Sequence, residues 1–223
     1  MSLLIWKIIM NYKIFLIILS FAGSKLLHAQ EHWVFKTESE GIKVYNNILS
    51  AAKVKPIKVE CTFNATASQL VAVLLDIKHY TDWVYKTKLT TLIKQVSPAE
   101  LYYYAEIDMP WPAQNRDFAA HITVSQNRDT KVVTVDAPSV VGLVPEKDNI
   151  FRIHESKGKW VITPVGNDRV NVTYFLQIDP GGAAPAWLIN IFIAEGPLQS
   201  FKKLKLQVQK SAYKSISLPF IHN

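Results

Sequence analysis

One cysteine, Cys61, stands in the 223 residues of this chain. No disulfide can close within it, so the domain is expected to hold together by its core alone. Cys61 falls on the apolar side of an alternating stretch, where a thiol acts as a small buried hydrophobe. Catalytic signatures are missing too. There is no G-x-S-x-G elbow, no H-E-x-x-H, no G-x-x-x-x-G-K phosphate loop and no clustering of Cys with His. These absences remove the motif-bearing hydrolases, metalloproteases and P-loop enzymes from consideration. The histidines, His28, His32, His79, His121, His154 and His222, lack metal-ligand spacing, so neither a metal nor another cofactor is expected. His79 and Asp82 could form an acid–base pair on one short helix, but no nucleophile is suggested beside them. Repeats, low-complexity tracts and interdomain linkers are absent as well.

What the chain does have begins with its first thirty residues. Lys7 and Lys13 precede an apolar stretch from Ile14 to Phe21, and Leu27-His28-Ala29 closes it with a small residue before Gln30. This pattern predicts a secretory signal peptide over residues 1–29, cleaved near Ala29, with Met10 a plausible alternative start. The stretch is shorter than the roughly 20 residues that span a bilayer. Residues 30–223 are then one exported domain of 194 residues, periplasmic or extracellular, with a core of ample size. Removing three lysines leaves 22 basic against 18 acidic side chains. That dispersed excess does not point to nucleic acid. A monomer is expected.

Trp33 to Lys36 and Lys43 to Leu49, broken at Gly41, read as a hairpin, and Val54 to Phe63 alternates as a half-buried strand. Thr66 and Gln69 have capping-box spacing ahead of Leu70, Val71, Leu74 and Leu75, which predicts a helix over 66–77. A second short helix is expected over 78–85. Strands follow at 87–95, 100–109, 118–125, 131–138, 150–155, 159–165 and 170–178, with hairpin turns at 126–130, 156–158 and 166–168. Strands, two helices, many antiparallel strands and a last long helix make an α+β order, with helices on one face of a curved sheet.

The last helix begins after Asp179-Pro180-Gly181-Gly182 and runs to about Tyr213. Trp187, Ile191, Ala194, Leu198, Phe201, Leu204 and Val208 recur at three- and four-residue spacing. Gly196-Pro197 should kink or divide it, because proline removes an intrahelical hydrogen bond. This places 187–193 against a ligand and 198–208 as the packing anchor. Lys202, Lys203, Lys205 and Lys210 form either a solvated face or a surface that attracts anionic headgroups. A straight helix across a strongly curved sheet tends to leave a gap that can hold a ligand.

The order of these elements, with Met109-Pro110-Trp111-Pro112, Asn115-Arg116-Asp117-Phe118, Asp179-Pro180-Gly181-Gly182 and Pro185 to Asn190, resembles the steroidogenic-acute-regulatory-protein-related lipid-transfer (START) domain family from about Trp33 to Lys210. The resemblance implies a helix-grip fold: a curved antiparallel sheet around the C-terminal helix, enclosing a cavity for one lipid, sterol or other hydrophobic small molecule. It implies a non-catalytic carrier or sensor with possible transient membrane contact. A polyketide-cyclase or hydratase-like enzyme on the same fold, and an interaction module whose cavity has filled in, are the alternatives.

The family commonly presents an arginine or acid to the polar end of its ligand. Arg116 offers a planar fork of donors suited to phosphate or carboxylate; alternatively it pairs with a carboxylate and pins its turn. Asp117 reads as a turn or strand contact. Tyr102, Tyr104, Glu106 and Asp108 share one strand face, opposite Leu101, Tyr103, Ala105 and Ile107. The first face supplies polar groups to the cavity if it looks inward and is solvated if it looks outward. Val141, Leu143 and Val144 are lid candidates in the segment 140–149, or simply cover the core edge. Trp83, Trp111, Trp160, Trp187, Phe192 and Phe201 suit either a ligand wall or a packed core. The expected ligand-binding set is Arg116, Tyr104, Trp111, Trp187, Leu188, Ile191, Phe192, Val141 and Leu143.

Overall fold

The computed structural model describes residues 32–50, 52, 54–181 and 185–222. The expected signal peptide and Gly182 of the Asp179–Gly182 turn lie outside the described residues. Residues from His32 onward form one compact unit. Its strands are β1 (Trp33–Ser39), β2 (Ile42–Asn47), β3 (Ile57–Phe63), β4 (Thr87–Ser97), β5 (Glu100–Ile107), β6 (Asn115–Gln126), β7 (Val133–Pro138), β8 (Ile150–Arg152), β9 (Ser156–Pro164) and β10 (Val170–Ile178).

Among the described residues the sheet runs β1-β2-β3-β10-β9-β7-β6-β5-β4. All of these neighbours pair antiparallel. The β4–β5 ladder slips at Thr87/Leu89, Leu92/Lys94 and Gln95/Ser97, and each such irregularity bends and twists its strand. Curvature is thus concentrated at the edge that must wrap around the helices. The strand β8 departs from the expected meander. It pairs in parallel with the start of β6, Arg116 opposite Phe151, rather than in a hairpin with β9.

Helix α1 (Ala67–Leu75) opens on the expected capping box: the Thr66 hydroxyl accepts from the Gln69 amide at 3.1 Å, and Gln69 Oε1 accepts from the Thr66 amide at 2.9 Å. A 3-10 turn (Ile77–His79) leads into α2 (Tyr80–Trp83). The imidazole of His79 meets Asp76 at 2.8 Å, not Asp82, whose carboxylate pairs with Lys210 at 3.0 Å.

At Gly196-Pro197 the terminal helix is divided by a π-helical turn that ends there. It runs as α3 (Ala186–Asn190), a π-helical turn (Ile191–Glu195) and α4 (Gly196–Gln207), followed by α5 (Ser211–Lys214). The Gly196 amide reaches back to the Ile191 carbonyl, so the wider turn absorbs the missing donor of Pro197. A Cβ on Gly196 would stand 2.4 Å from that carbonyl oxygen. Glycine is required there by close approach.

Phe201, Leu204 and Val208 on α4 and its C-cap are fully buried. Phe201 stacks on Trp160 with centroids 5.2 Å apart and also meets Phe63 at 6.1 Å and Tyr174 at 5.9 Å. Burying each such side chain is worth about 1.5–3 kcal/mol, which holds the helix in the grip of the sheet. Two of its lysines are engaged with the β1–β2 turn: Lys202 pairs with Glu40 at 2.9 Å, and Lys205 donates to the Glu40 carbonyl at 2.6 Å. The result is the expected α+β helix-grip architecture.

Candidate functional site

Between the sheet and the terminal helix lies an internal cavity of about 190 Å³. Strand β5 supplies Tyr103, Ala105 and Ile107, β6 supplies Phe118 and Ile122, and β9 and β10 supply Trp160 and Tyr174. The helical wall comes from Trp83, Ile191, Phe192, Pro197 and Phe201. The π turn matters here because it carries Ile191 and Phe192 into that wall. No Asp, Glu, Lys, Arg or His lines the cavity among the described residues. One end is closed by a second apolar cluster of Met109, Ile153, Ile178, Leu188, Ile191 and Phe192. At the opening between α2 and the terminal helix, the Tyr85 hydroxyl donates to Glu195 at 2.5 Å, and its amide donates to the Ser200 hydroxyl at 2.9 Å. The bond to Glu195, with burial, pushes the Tyr85 hydroxyl up to about 12.

Of the nine ligand-binding residues expected from sequence, Ile191 and Phe192 line this cavity and the other seven do not. Strand alternation puts Tyr104 on the opposite face from Tyr103. Leu188 is buried but packs into the closing cluster. Trp111 caps the β5–β6 turn with 92% of its surface exposed, Val141 is 62% exposed, and Leu143 and Trp187 are also exposed. Trp83, Trp160 and Phe201 belong to the wall instead. Tyr103 and Tyr174 were missed as site residues; period-2 alternation marked their face but not which face looked inward.

Arg116 lies on the cavity side of β6, one position along that face from Phe118, yet outside the lining. It is 4% exposed. Its Nε donates to the Pro180 carbonyl at 3.4 Å, Nη1 donates to the Gln114 carbonyl, and the guanidinium sits over the Phe151 ring at 5.1 Å. It has no carboxylate partner among the described residues. Burial lowers its pKa from the ordinary arginine value. The carboxylate pairing considered for Arg116 belongs to the next residue. Asp117 takes Arg152 in a two-pronged contact, Nε at 2.7 Å and Nη2 at 3.0 Å, and the Tyr104 hydroxyl at 2.8 Å.

This buried cluster is why the Tyr104 face is neither a cavity wall nor a solvated surface. Glu106 accepts from Tyr104 at 2.9 Å and from Lys147 at 2.5 Å. Burial acts to raise the Glu106 pKa, but the Lys147 and Tyr104 hydrogen bonds win and hold it below the ordinary value. Arg152 also donates to the Val144 carbonyl at 2.9 Å and the Pro145 carbonyl at 3.0 Å. The segment expected to be a lid is therefore latched to the sheet's outer face. The four residues of Asn115-Arg116-Asp117-Phe118 do four different things. Asn115 accepts from the Met109 amide at 2.9 Å and closes the turn, Arg116 holds the Pro180 carbonyl, Asp117 holds Arg152, and Phe118 faces the cavity. A lone arginine in the short apolar run Ile150–Ile153 was the sequence signal for Arg152; its partner stands 35 positions away.

Comparison with known proteins agrees with this geometry. The START domain model matches residues 23–214. The crystal structure of a STAR-related lipid transfer protein from Xanthomonas axonopodis is 31% identical and superposes with a TM-score of 0.72, covering 80% of this chain and 99% of that one. An uncharacterized protein of Pseudomonas aeruginosa is 29% identical over 180 residues, 81% of this chain and 88% of the relative. Phosphatidylcholine transfer protein of Rattus norvegicus is 28% identical over 181 residues, 77% of this chain and 80% of the relative. With a sheet that grips its terminal helix around an uncharged cavity, and a family match over most of its length, the chain belongs to the START domain family.

Proposed function

We propose that this protein is a non-catalytic carrier or sensor that takes the apolar part of a lipid into the cavity between the sheet and the terminal helix. The observation that carries this is a cavity whose lining holds no charged side chain and so offers burial without a titrating acid or base. At roughly 25 cal/mol per Å² of apolar ligand surface, burial supplies the driving force. The names of the relatives, a STAR-related lipid transfer protein and a phosphatidylcholine transfer protein, support the same reading. Ligand pockets are usually about 300–1,000 Å³, so the 190 Å³ cavity must widen to admit a whole lipid. The closing cluster around Leu188 and Phe192 is made of apolar side chains, so parting them breaks no side-chain hydrogen bond.

The same end of the sheet exposes Trp111, Val141, Leu143, Phe151 and Trp187. The ladders bring them together: the β5–β6 turn, the end of β7, β8 and the end of β10 all meet at the start of β6 and β9. Exposed tryptophans over a cavity end suit transient contact with a membrane interface. Arg116, buried there without a carboxylate partner among the described residues, is the anchor for a phosphate or carboxylate of the ligand. We further propose that the protein is a monomer exported to the periplasm or beyond, its leader cleaved near Ala29.

Native mass spectrometry of the full chain as secreted, after incubation with a total lipid extract, tests the carrier reading. An adduct of lipid mass is expected, and a protein that stays at its unliganded mass with every lipid class refutes it. In the same assay Arg116→Leu should weaken an anionic lipid by about 1.5–3 kcal/mol, the range for charged hydrogen bonds, and should lower Tm as well, because the Pro180 and Gln114 carbonyls lose their donor. A large loss of Tm with unchanged affinity makes Arg116 a structural pin. Product formation from a reactive polyketide would favour the cyclase-like alternative.

A further inference from the structure

Where α2 gives way to β4, a single ring separates the cavity from solvent. Tyr85 lines the cavity there with Val84 and Thr87, and the hydroxyl of that same ring donates to the carboxylate of exposed Glu195 at 2.5 Å. One side chain thus touches both the cavity and the outer side of the terminal helix. The sheet wall, by contrast, is closed by ladders of backbone hydrogen bonds, β5 to β6 and β9 to β10 among them. At the far end, parting the closing cluster puts six apolar side chains into water together. Turning the Tyr85 ring aside is the smaller movement that opens a path.

The main chain around Tyr85 is pinned, but its ring is held only at the tip. The Thr87 amide donates to the Val84 carbonyl at 3.2 Å, and the Lys86 carbonyl accepts from the Asp108 amide at 2.7 Å, which ties the turn to the end of β5. The Tyr85 amide donates to the Ser200 hydroxyl at 2.9 Å. Its ring lies over Gly196, where a Cβ would stand 3.6 Å from Cδ1. The π turn ends at Glu195, immediately before that glycine. Such turns inside α-helices recur at functional sites; this one carries Ile191 and Phe192 into the inner wall and finishes on the residue that holds Tyr85. Side chains at a surface change rotamer in picoseconds to nanoseconds, so the bond to Glu195 is what keeps the ring closed.

We propose that Tyr85 is the gate of the cavity, a stopper latched by Glu195, and that the apolar ligand enters and leaves past it between α2 and the terminal helix. The latch closes over an empty or a filled cavity alike. It therefore slows entry and exit equally and leaves affinity as it is, so Tyr85 and Glu195 set the rate of exchange rather than the choice of ligand. The gate rests on the carrier reading and assigns the route that the reading leaves open.

The test uses the full chain as secreted and N-phenyl-1-naphthylamine, a neutral apolar fluorophore, loaded by stopped-flow mixing and unloaded into cyclodextrin. Glu195→Ala, at an exposed position outside the lining, should raise both rate constants about three- to tenfold, the span of one hydrogen bond, with Kd within about twofold of wild type. Tyr85→Phe should accelerate exchange to the same extent, and the double variant no further, since both substitutions remove one bond. Unchanged rates in Glu195→Ala, effects of the two substitutions that multiply, or a faster exit with unchanged entry overturns the gate. So does acceleration by Leu188→Ala alone, which would put the route at the other end. Should the fluorophore not bind, the same rates are read with pyrene-labelled phosphatidylcholine offered in vesicles. A wild type that binds either probe while the variants exchange at its rate refutes the gate and leaves the carrier reading standing; one that binds no lipid at all refutes both.

Discussion

Asp117 to alanine is the substitution whose cost the structure defines best. Its carboxylate, 1% exposed, accepts from Arg152 Nε at 2.7 Å, Arg152 Nη2 at 3.0 Å and the Tyr104 hydroxyl at 2.8 Å. Removing it strands a guanidinium whose own side chain is 4% exposed. Breaking a buried pair by deleting one partner costs about 3–5 kcal/mol. At about 2–4 °C per kcal/mol for a domain of this size, Tm should fall by about 6–20 °C. Arg152→Met should cost a similar amount, because it leaves the carboxylate and also frees the Val144 and Pro145 carbonyls. Asp117→Leu with Arg152→Met, however, removes both charges together and should recover most of the loss, since a buried pair is often replaceable by apolar residues at little net cost. The double variant should still lose hydrogen-exchange protection in the segment 140–149, whose Arg152 latch on the Val144 and Pro145 carbonyls is gone. Urea melts of the three variants give the coupling. Single variants within about 1 kcal/mol of wild type, or strictly additive losses, would refute the claim that this pair is the buried keystone of the Asn115–Phe118 motif.

Two further substitutions separate competing physical effects. Helix propensity alone predicts that Gly196→Ala stabilises by about 1 kcal/mol, but the new Cβ would meet the Ile191 carbonyl at 2.4 Å, so a loss of about 1–3 kcal/mol is expected from overpacking; a rise in Tm would show that the π turn relaxes without cost. The Glu106 pKa is depressed when folded, so its stabilising contribution is complete above the ordinary glutamate value of 4.5 and is lost as pH falls through the folded value. Wild type should therefore lose its stability margin over Glu106→Gln as urea midpoints are followed from pH 7 to below 4.5, and a margin independent of pH would show that the Lys147–Glu106 contact contributes nothing.

Local signals were legible in the sequence because they depend on neighbours a few residues apart. The Thr66/Gln69 capping box, the alternation of Val170 to Ile178 and the three- and four-residue spacing of Phe201, Leu204 and Val208 each specified an element that the structure contains. Alternation also divided β5 into two faces without saying which looked inward. That depends on which side the terminal helix covers, a choice made by packing across the sheet. Likewise, Gly196-Pro197 announced a perturbed helix, and only the structure showed that the perturbation is a π turn that carries Ile191 and Phe192 into the cavity wall.

The candidate site was harder to read. The Arg116, Tyr104, Trp111, Val141 and Leu143 expectations followed a linear motif or a loop. The cavity is built from residues that meet only when β5, β6, β9, β10 and the helices close on one another. Element order, the α+β class and the family could all be read along the chain. Three-dimensional packing was needed to establish that Asp117 rather than Arg116 holds the ion pair, that the 140–149 segment is latched, and that Trp83, Tyr103 and Tyr174 share one uncharged cavity. Burial and pairing between distant residues are properties of the folded surface, and no local pattern encodes them.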